Sequence, residues 1–277
     1  MDYSEYPVPD ELRRHLSCAW RLRNPHPQSA VQTIYPDGCC EIIVHLRTPP
    51  RCWDPVAGWQ EQSATLFAAQ RVTAVRLNII EPLDCVGLRL RPAASDALAI
   101  GTLAKLRDRI VDLRGIDRGF SSALRAAVRS FAAGVDEPLW RLLKRRVAAR
   151  VLDERMVVAV ERLETSAGKA RIDVTARAAG LSMRGFQLRF RQRVGLAPKE
   201  FARLMRLQAT LRALDAGSAS ISALAADSGF ADQAHATREL TRAIGLTPAR
   251  LRAELRRERD GDAAVRLAAA FVRGHSD

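Results

Sequence analysis

The sequence predicts a mixed α+β chain: a β-rich N-terminal domain, then an all-α domain holding two helix-turn-helix units joined by a long helix. Three observations carry this. A unit about fifty residues long, a period that marks a supersecondary element used twice, occurs as GLSMRGFQLRFRQRVGLAP (Gly180–Pro198) and GFADQAHATRELTRAIGLTP (Gly229–Pro248). Strand-like alternation is confined to the region before Ala94. From about Ala94 onward, Ala, Leu and Arg dominate with few β-branched clusters, a helical pattern.

At 277 residues the chain has room for two domains, each with its own core. In the first of them, Pro36-Asp37-Gly38 is a turn signal that introduces the apolar run GCCEIIVHL (Gly38–Leu46). VRLNI (Val75–Ile79) reads as a second strand. CVGLRLRP (Cys85–Pro92) alternates Val86, Leu88 and Leu90 with Gly87, Arg89 and Arg91, the period of a half-buried strand. Asp136-Glu137-Pro138 then starts a helix through WRLLKRRVAARVL, and another is expected from Asp153 to Leu163.

The repeated unit has a recognisable internal order. IDVTARAA (Ile172–Ala179) leads through Gly180-Leu181 to Ser182, and ISALAADS (Ile221–Ser228) leads through Gly229-Phe230 to Asp232. Each is a short helix of small residues, a glycine turn and a preferred N-cap type. Two helices so joined form a helix-turn-helix, whose second helix lies in the DNA major groove. The recognition helices are expected at about 182–194 and 232–244. In the first, Met183, Phe186, Phe190 and Val194 fall on one face and are expected in the core. The opposite face carries Arg184, Gln187, Leu188 and Arg191. Its counterpart in the second copy carries Ala234, Thr237, Arg238 and Thr241, with Gln233 and His235 in the first turn. Arg and Gln there suit bidentate pairing with guanine and adenine edges. A solvated face is the alternative for any single Arg, but aligned caps and opposed core faces argue against it for the whole set. Between the copies, Pro198–Gly217 reads as one helix with Phe201, Leu204, Leu207, Leu211 and Leu214 at core spacing. It would hold the two readers about one duplex turn apart, roughly 34–36 Å.

Charge agrees with a polyanionic partner. The formal net charge is +13, and it is spread evenly between the halves. The window from Arg171 to Arg212, however, has ten basic residues and only Asp173 and Glu200 as acids. Cys18, Cys39, Cys40, Cys52 and Cys85 are odd in number and without a CxxC pair, so buried reduced thiols are expected rather than disulfides or a zinc site. His45, the histidine in a predicted strand, is read as a satisfied structural residue, and Trp20, Trp53 and Trp59 as core, with the lining of a pocket as their alternative. No metal or cofactor is expected. No apolar run approaches bilayer length, and MDYSEYPVPDELRRHLS lacks the regions of a signal peptide, so the cytoplasm and no membrane are the expectations.

These residues resemble the AraC/XylS transcriptional regulators, whose DNA-binding domain contains two such units and a linking helix. The resemblance runs from about Asp153 to Arg252. It rests on GFADQAH with REL, on G-x-x-P at Gly195–Pro198 and Gly245–Pro248, and on LS-x-R with RFR. It departs at Leu188, where the family commonly has Arg, and at Ala236, where a larger apolar residue is usual. YPDGCCEIIVHL, GLRLRPAA and DRIVDLRG resemble an uncharacterised sensor-type domain of one branch of that family, which implies a cupin-like, barrel-like N-terminal fold.

The resulting organisation is 1–125 as β-rich effector or sensor domain and 126–152 as helical linker with a dimerisation role. Residues 153–255 are the DNA-binding domain, and 256–277 a charged tail. The expected partners are double-stranded DNA, an effector or protein at the N-terminal domain, RNA polymerase and a second copy of the chain. The expected activity is sequence-specific transcription regulation, activating or repressing, with no catalysis. Two alternatives are a DNA-repair-type enzyme that uses a reactive cysteine and a protein that coats DNA without sequence preference.

Overall fold

The computed structural model describes residues 2–26, 30–98, 103–148, 150–216 and 232–259. The N-terminal strands form two antiparallel sheets. One is ordered β1 (Asp2–Tyr6), β2 (Leu16–Asn24), β9 (Leu83–Leu90), β4 (Cys40–His45), β7 (Thr65–Ala68), β10 (Ile110–Asp112). The other is ordered β3 (Ala30–Ile34), β8 (Val75–Ile79), β5 (Arg51–Asp54), β6 (Gly58–Glu61). Among the described residues no strand pairing joins the two sheets. The barrel-like expectation is therefore corrected to an open, two-layer arrangement, because closure requires the edge strands to pair.

Period 2 sorts the side chains of β4. Cys40, Ile42 and Val44 enter a core on the outer side of the larger sheet, while Glu41, Ile43 and His45 face the space between the sheets. That outer core is closed by α1 (Leu103–Leu106), α2 (Leu113–Ile116), α3 (Arg118–Ala132) and α4 (Glu137–Ala148). Asp117 starts α3 by accepting the Phe120 N–H at 2.9 Å, and Phe120, Leu124, Val128 and Phe131 then bury one face. Leu139, Trp140, Leu143 and Val147 do the same on α4. The segment expected as a linker thus belongs to the N-terminal core.

The half-buried reading of Cys85–Pro92 is also corrected. Both faces of β9 are covered, and Arg89 is only 1% exposed. Its Nε donates to Glu41 Oε1 at 3.0 Å, and the same carboxylate oxygen accepts from Trp20 Nε1 at 3.1 Å. Gly87 is required here, since a Cβ would collide with the Trp20 indole.

The C-terminal helices are α5 (Glu154–Thr165), α6 (Ile172–Ala178), α7 (Met183–Val194), α8 (Pro198–Asp215), α9 (Gln233–Ile244) and α10 (Pro248–Arg259). Their core stacks Phe186, Phe190 and Phe201 edge to face, with centroids 5.5 and 5.6 Å apart. Pro198 opens α8, Glu200 reaches back to the Ala197 N–H at 2.9 Å, and Phe201, Leu204, Leu207, Leu211 and Leu214 are buried. The predicted helix at Ile221–Ser228, its turn at Gly229-Phe230 and the tail from 260 onward lie outside the described residues.

Candidate nucleic-acid interface

The helices α7 and α9, expected as recognition helices, each begin and end on a local device. The Ser182 hydroxyl accepts the Gly185 N–H at 3.2 Å, and the Asp232 carboxylate accepts the His235 N–H at 2.6 Å. Gly195 and Gly245 close α7 and α9 at φ +94° and +82°, a left-handed conformation that L side chains adopt only with strain. The helices are buried on equivalent positions: Phe186, Phe190 and Val194 in α7, and Ala236, Leu240 and Ile244 in α9. Met183 departs from the expected core face. It is 40% exposed in the first turn of α7.

The four positions opposite the α7 core, Arg184, Gln187, Leu188 and Arg191, are all exposed. In α9, Gln233, Ala234 and Arg238 are exposed, whereas His235, Thr237 and Thr241 are half-buried. The arginines of α7 divide into two pairs. Arg189 binds Asp153 at 3.3 Å, and Arg193 binds Asp96 of the N-terminal domain. Arg184 and Arg191 have no carboxylate partner among the described residues, so their guanidinium forks are available to phosphate or base edges. The ion pairs to Asp153 and Asp96 carry no sequence signal, because they join residues 36 and 97 positions apart.

The N-terminal domain touches α7, α9 and the helix α8 between them. Besides Asp96 on α7, Arg107 binds Glu200 of α8 at 2.5 Å, and the Ala74 N–H donates to the Ala243 carbonyl in the last turn of α9 at 2.8 Å. The α8 side chain Gln208 donates to the Pro36 carbonyl at 2.5 Å.

Between the two sheets lies a cleft of about 870 Å³, including its open mouth, walled by Trp20, Ile34, Tyr35, Ile43, Leu66 and Leu77 among others. Trp20 is core as expected and also lines this cleft, while Trp53 is 40% exposed. The satisfied reading of His45 is corrected: it is 5% exposed, and no protein group meets either ring nitrogen. Burial pushes its pKa down to about 4. The cysteines are free thiols, and Cys52 is the only one of the five not buried. Burial raises the thiol of each, Cys40 to about 12, which is the opposite of an activated nucleophile. Among the described residues no helix is long and apolar enough to cross a membrane, and no cluster of three or more His, Cys, Asp or Glu could hold a metal.

Residues 175–254 match the family model of a helix-turn-helix domain, and residues 4–112 match a domain family of unknown function, DUF6597. Among solved structures, the chain is similar to a transcriptional regulator from Chromobacterium violaceum described as AraC-type. The identity is 24% over 37% of this chain and 92% of that one, with TM-score 0.35. It is also similar to ToxT from Vibrio cholerae, at 10% identity over 81% of this chain and 96% of that one, with TM-score 0.46. ToxT with bound unsaturated fatty acid gives 12% identity, 84% and 93% coverage and TM-score 0.41. A comparison with curated proteins returned no match.

Proposed function

We propose, from the premise that the C-terminal segment is an AraC-type helix-turn-helix domain and the chain a sequence-specific DNA-binding transcription regulator, that α7 and α9 read two successive major-groove faces of one duplex. The observation that supports this is the pair of capped helices offset by one fifty-residue period, each with its core face buried and a polar face opposite. Arg184, Gln187, Leu188 and Arg191 make up the first reading face, with Leu188 placed to meet a thymine methyl. Gln233, Ala234, His235, Thr237, Arg238 and Thr241 make up the second. Ser182 and Asp232 position the two helices rather than contact bases. Phosphate contacts from the basic window supply salt-dependent affinity, and base contacts supply specificity.

The rest of the organisation follows the same reading. Residues 1–152 form the effector domain, and a second copy of the chain and RNA polymerase are further partners, in the cytoplasm and without catalysis. The raised thiols support the non-enzymatic reading, because a repair-type transfer needs a thiolate. Selection of bound duplexes from a random library tests the proposal. Base readout predicts about 10³-fold or more between selected and scrambled duplexes; equal affinity would favour the non-specific alternative.

A further inference from the structure

We propose that the cleft between the two sheets binds a small, uncharged, largely apolar molecule whose hydroxyl group meets the His45 imidazole, and that α8 and α9 sense it through two backbone segments shared with the cleft wall. This rests on the reading of the N-terminal half as an effector domain. The ligand class follows from what each wall group is already doing. Leu22, Ile34, Ile43, Leu66 and Leu77 make the walls apolar. The charged groups among them are engaged. Glu41 accepts from Arg89 and Trp20, Asp37 accepts the Cys39 N–H at 2.9 Å, and Arg71 donates to the Asp108 carbonyl at 2.6 Å. Asp37 and Glu41 pair with Arg89 behind the wall at 3.8 and 3.0 Å, and the Arg71 guanidinium donates to the Thr73 and Asp108 carbonyls. A charged ligand would therefore have to displace one of these existing contacts to gain a counter-charge for its desolvation. His45 is different: it lines the cleft, is buried, and has ring nitrogens that no protein group meets. A neutral imidazole offers one donor and one acceptor, and a hydroxyl can answer either.

The shared wall is visible in the alternation of two segments. In residues 69–75, Ala69, Arg71, Thr73 and Val75 line the cleft. The intervening residues face the DNA-binding domain. Gln70 lies against Gly195, Val72 joins the helical core, and Ala74 holds the end of α9. In residues 35–39, Tyr35, Pro36, Asp37 and Cys39 line the cleft, while the Pro36 carbonyl takes the Gln208 hydrogen bond. Gly38, at φ +87°, lies so close to α8 that a Cβ would come 2.7 Å from Met205 Cε. A ligand that displaces either segment shifts a contact with α8 or α9.

The test uses the full chain with 1-naphthol and 1-naphthoate as probes, by isothermal titration calorimetry, with a parallel measurement of affinity for the selected duplex. We expect saturable 1:1 binding of 1-naphthol, at least tenfold weaker binding of 1-naphthoate, and about a tenfold loss for 1-naphthol in His45→Leu. Saturating 1-naphthol should change duplex affinity severalfold in the wild type and less in Gln208→Leu. Equal binding of the two probes, or no effect of His45→Leu in a variant with native circular dichroism, overturns the ligand class and leaves an effector domain standing. Binding without any change in duplex affinity overturns the shared-wall coupling. No binding of either probe overturns the cleft as a site for this class.

Discussion

Arg184 and Arg189 are five residues apart on the same helix, and the structure gives them opposite fates. Arg184 is exposed with no carboxylate partner among the described residues, while Arg189 is held by Asp153 at 3.3 Å. Truncating Arg184 to alanine should leave folding stability within about 0.5 kcal/mol, as for a surface change that breaks no contact. The whole cost should therefore appear in DNA binding. A base-directed arginine contributes about 1–3 kcal/mol, which is about 5- to 150-fold in affinity, with relaxed preference at one base pair. Arg189→Ala removes a partly exposed ion pair instead. It should cost about 0–1 kcal/mol of stability and leave base preference unchanged. The assay is fluorescence anisotropy on the selected duplex and on single-base variants of it, with thermal melting of each protein. If Arg184→Ala binds and discriminates like wild type while Arg189→Ala loses base preference, the assignment of the α7 faces is wrong.

Three other perturbations probe the frame around α7 and α9. Gly87→Ala forces a methyl into the Trp20 indole, and overpacking of this kind should cost about 1–3 kcal/mol or more, read as a fall in melting temperature. Asp96→Ala frees Arg193 from the N-terminal domain; the slope of log affinity against log salt should steepen by about one phosphate contact, and an unchanged slope would show that Arg193 stays away from DNA. His45 is held neutral, with its pKa lowered from 6.5 to about 4 by burial. Its contribution is therefore present above pH 6.5 and is lost as pH falls toward 4, on the order of 3 kcal/mol at most. His45→Leu should flatten that part of the stability profile in denaturant titrations, and an equally steep profile would refute the buried neutral histidine.

The helical half was legible because its signals are local. Ser182, Asp232, Pro198 and the two C-terminal glycines act within one turn of their own position, so a single strand of text contains cause and effect. Met183 escaped because periodicity assigns a face but not how deeply each residue on it is buried. The N-terminal half was less legible. Arg89 sits on the polar phase of an alternating strand, yet it is buried against Glu41, 48 positions away, whose carboxylate oxygen also accepts from Trp20, 69 positions from Arg89. Residues 126–152 read as a helical linker, and only packing against the larger sheet makes Val128, Phe131, Leu139 and Leu143 core. The contact of Gln208 with Pro36 spans 172 positions and has no local trace.

The central claim is that one chain places two helices in successive major-groove faces of the same duplex. Hydroxyl-radical footprinting on a selected duplex, with wild type, Arg184→Ala and Arg238→Ala, addresses it most directly. The account predicts two protected patches separated by about one duplex turn, roughly 34–36 Å, with each variant weakening a different patch. A single patch, or two patches weakened alike by either variant, would contradict it.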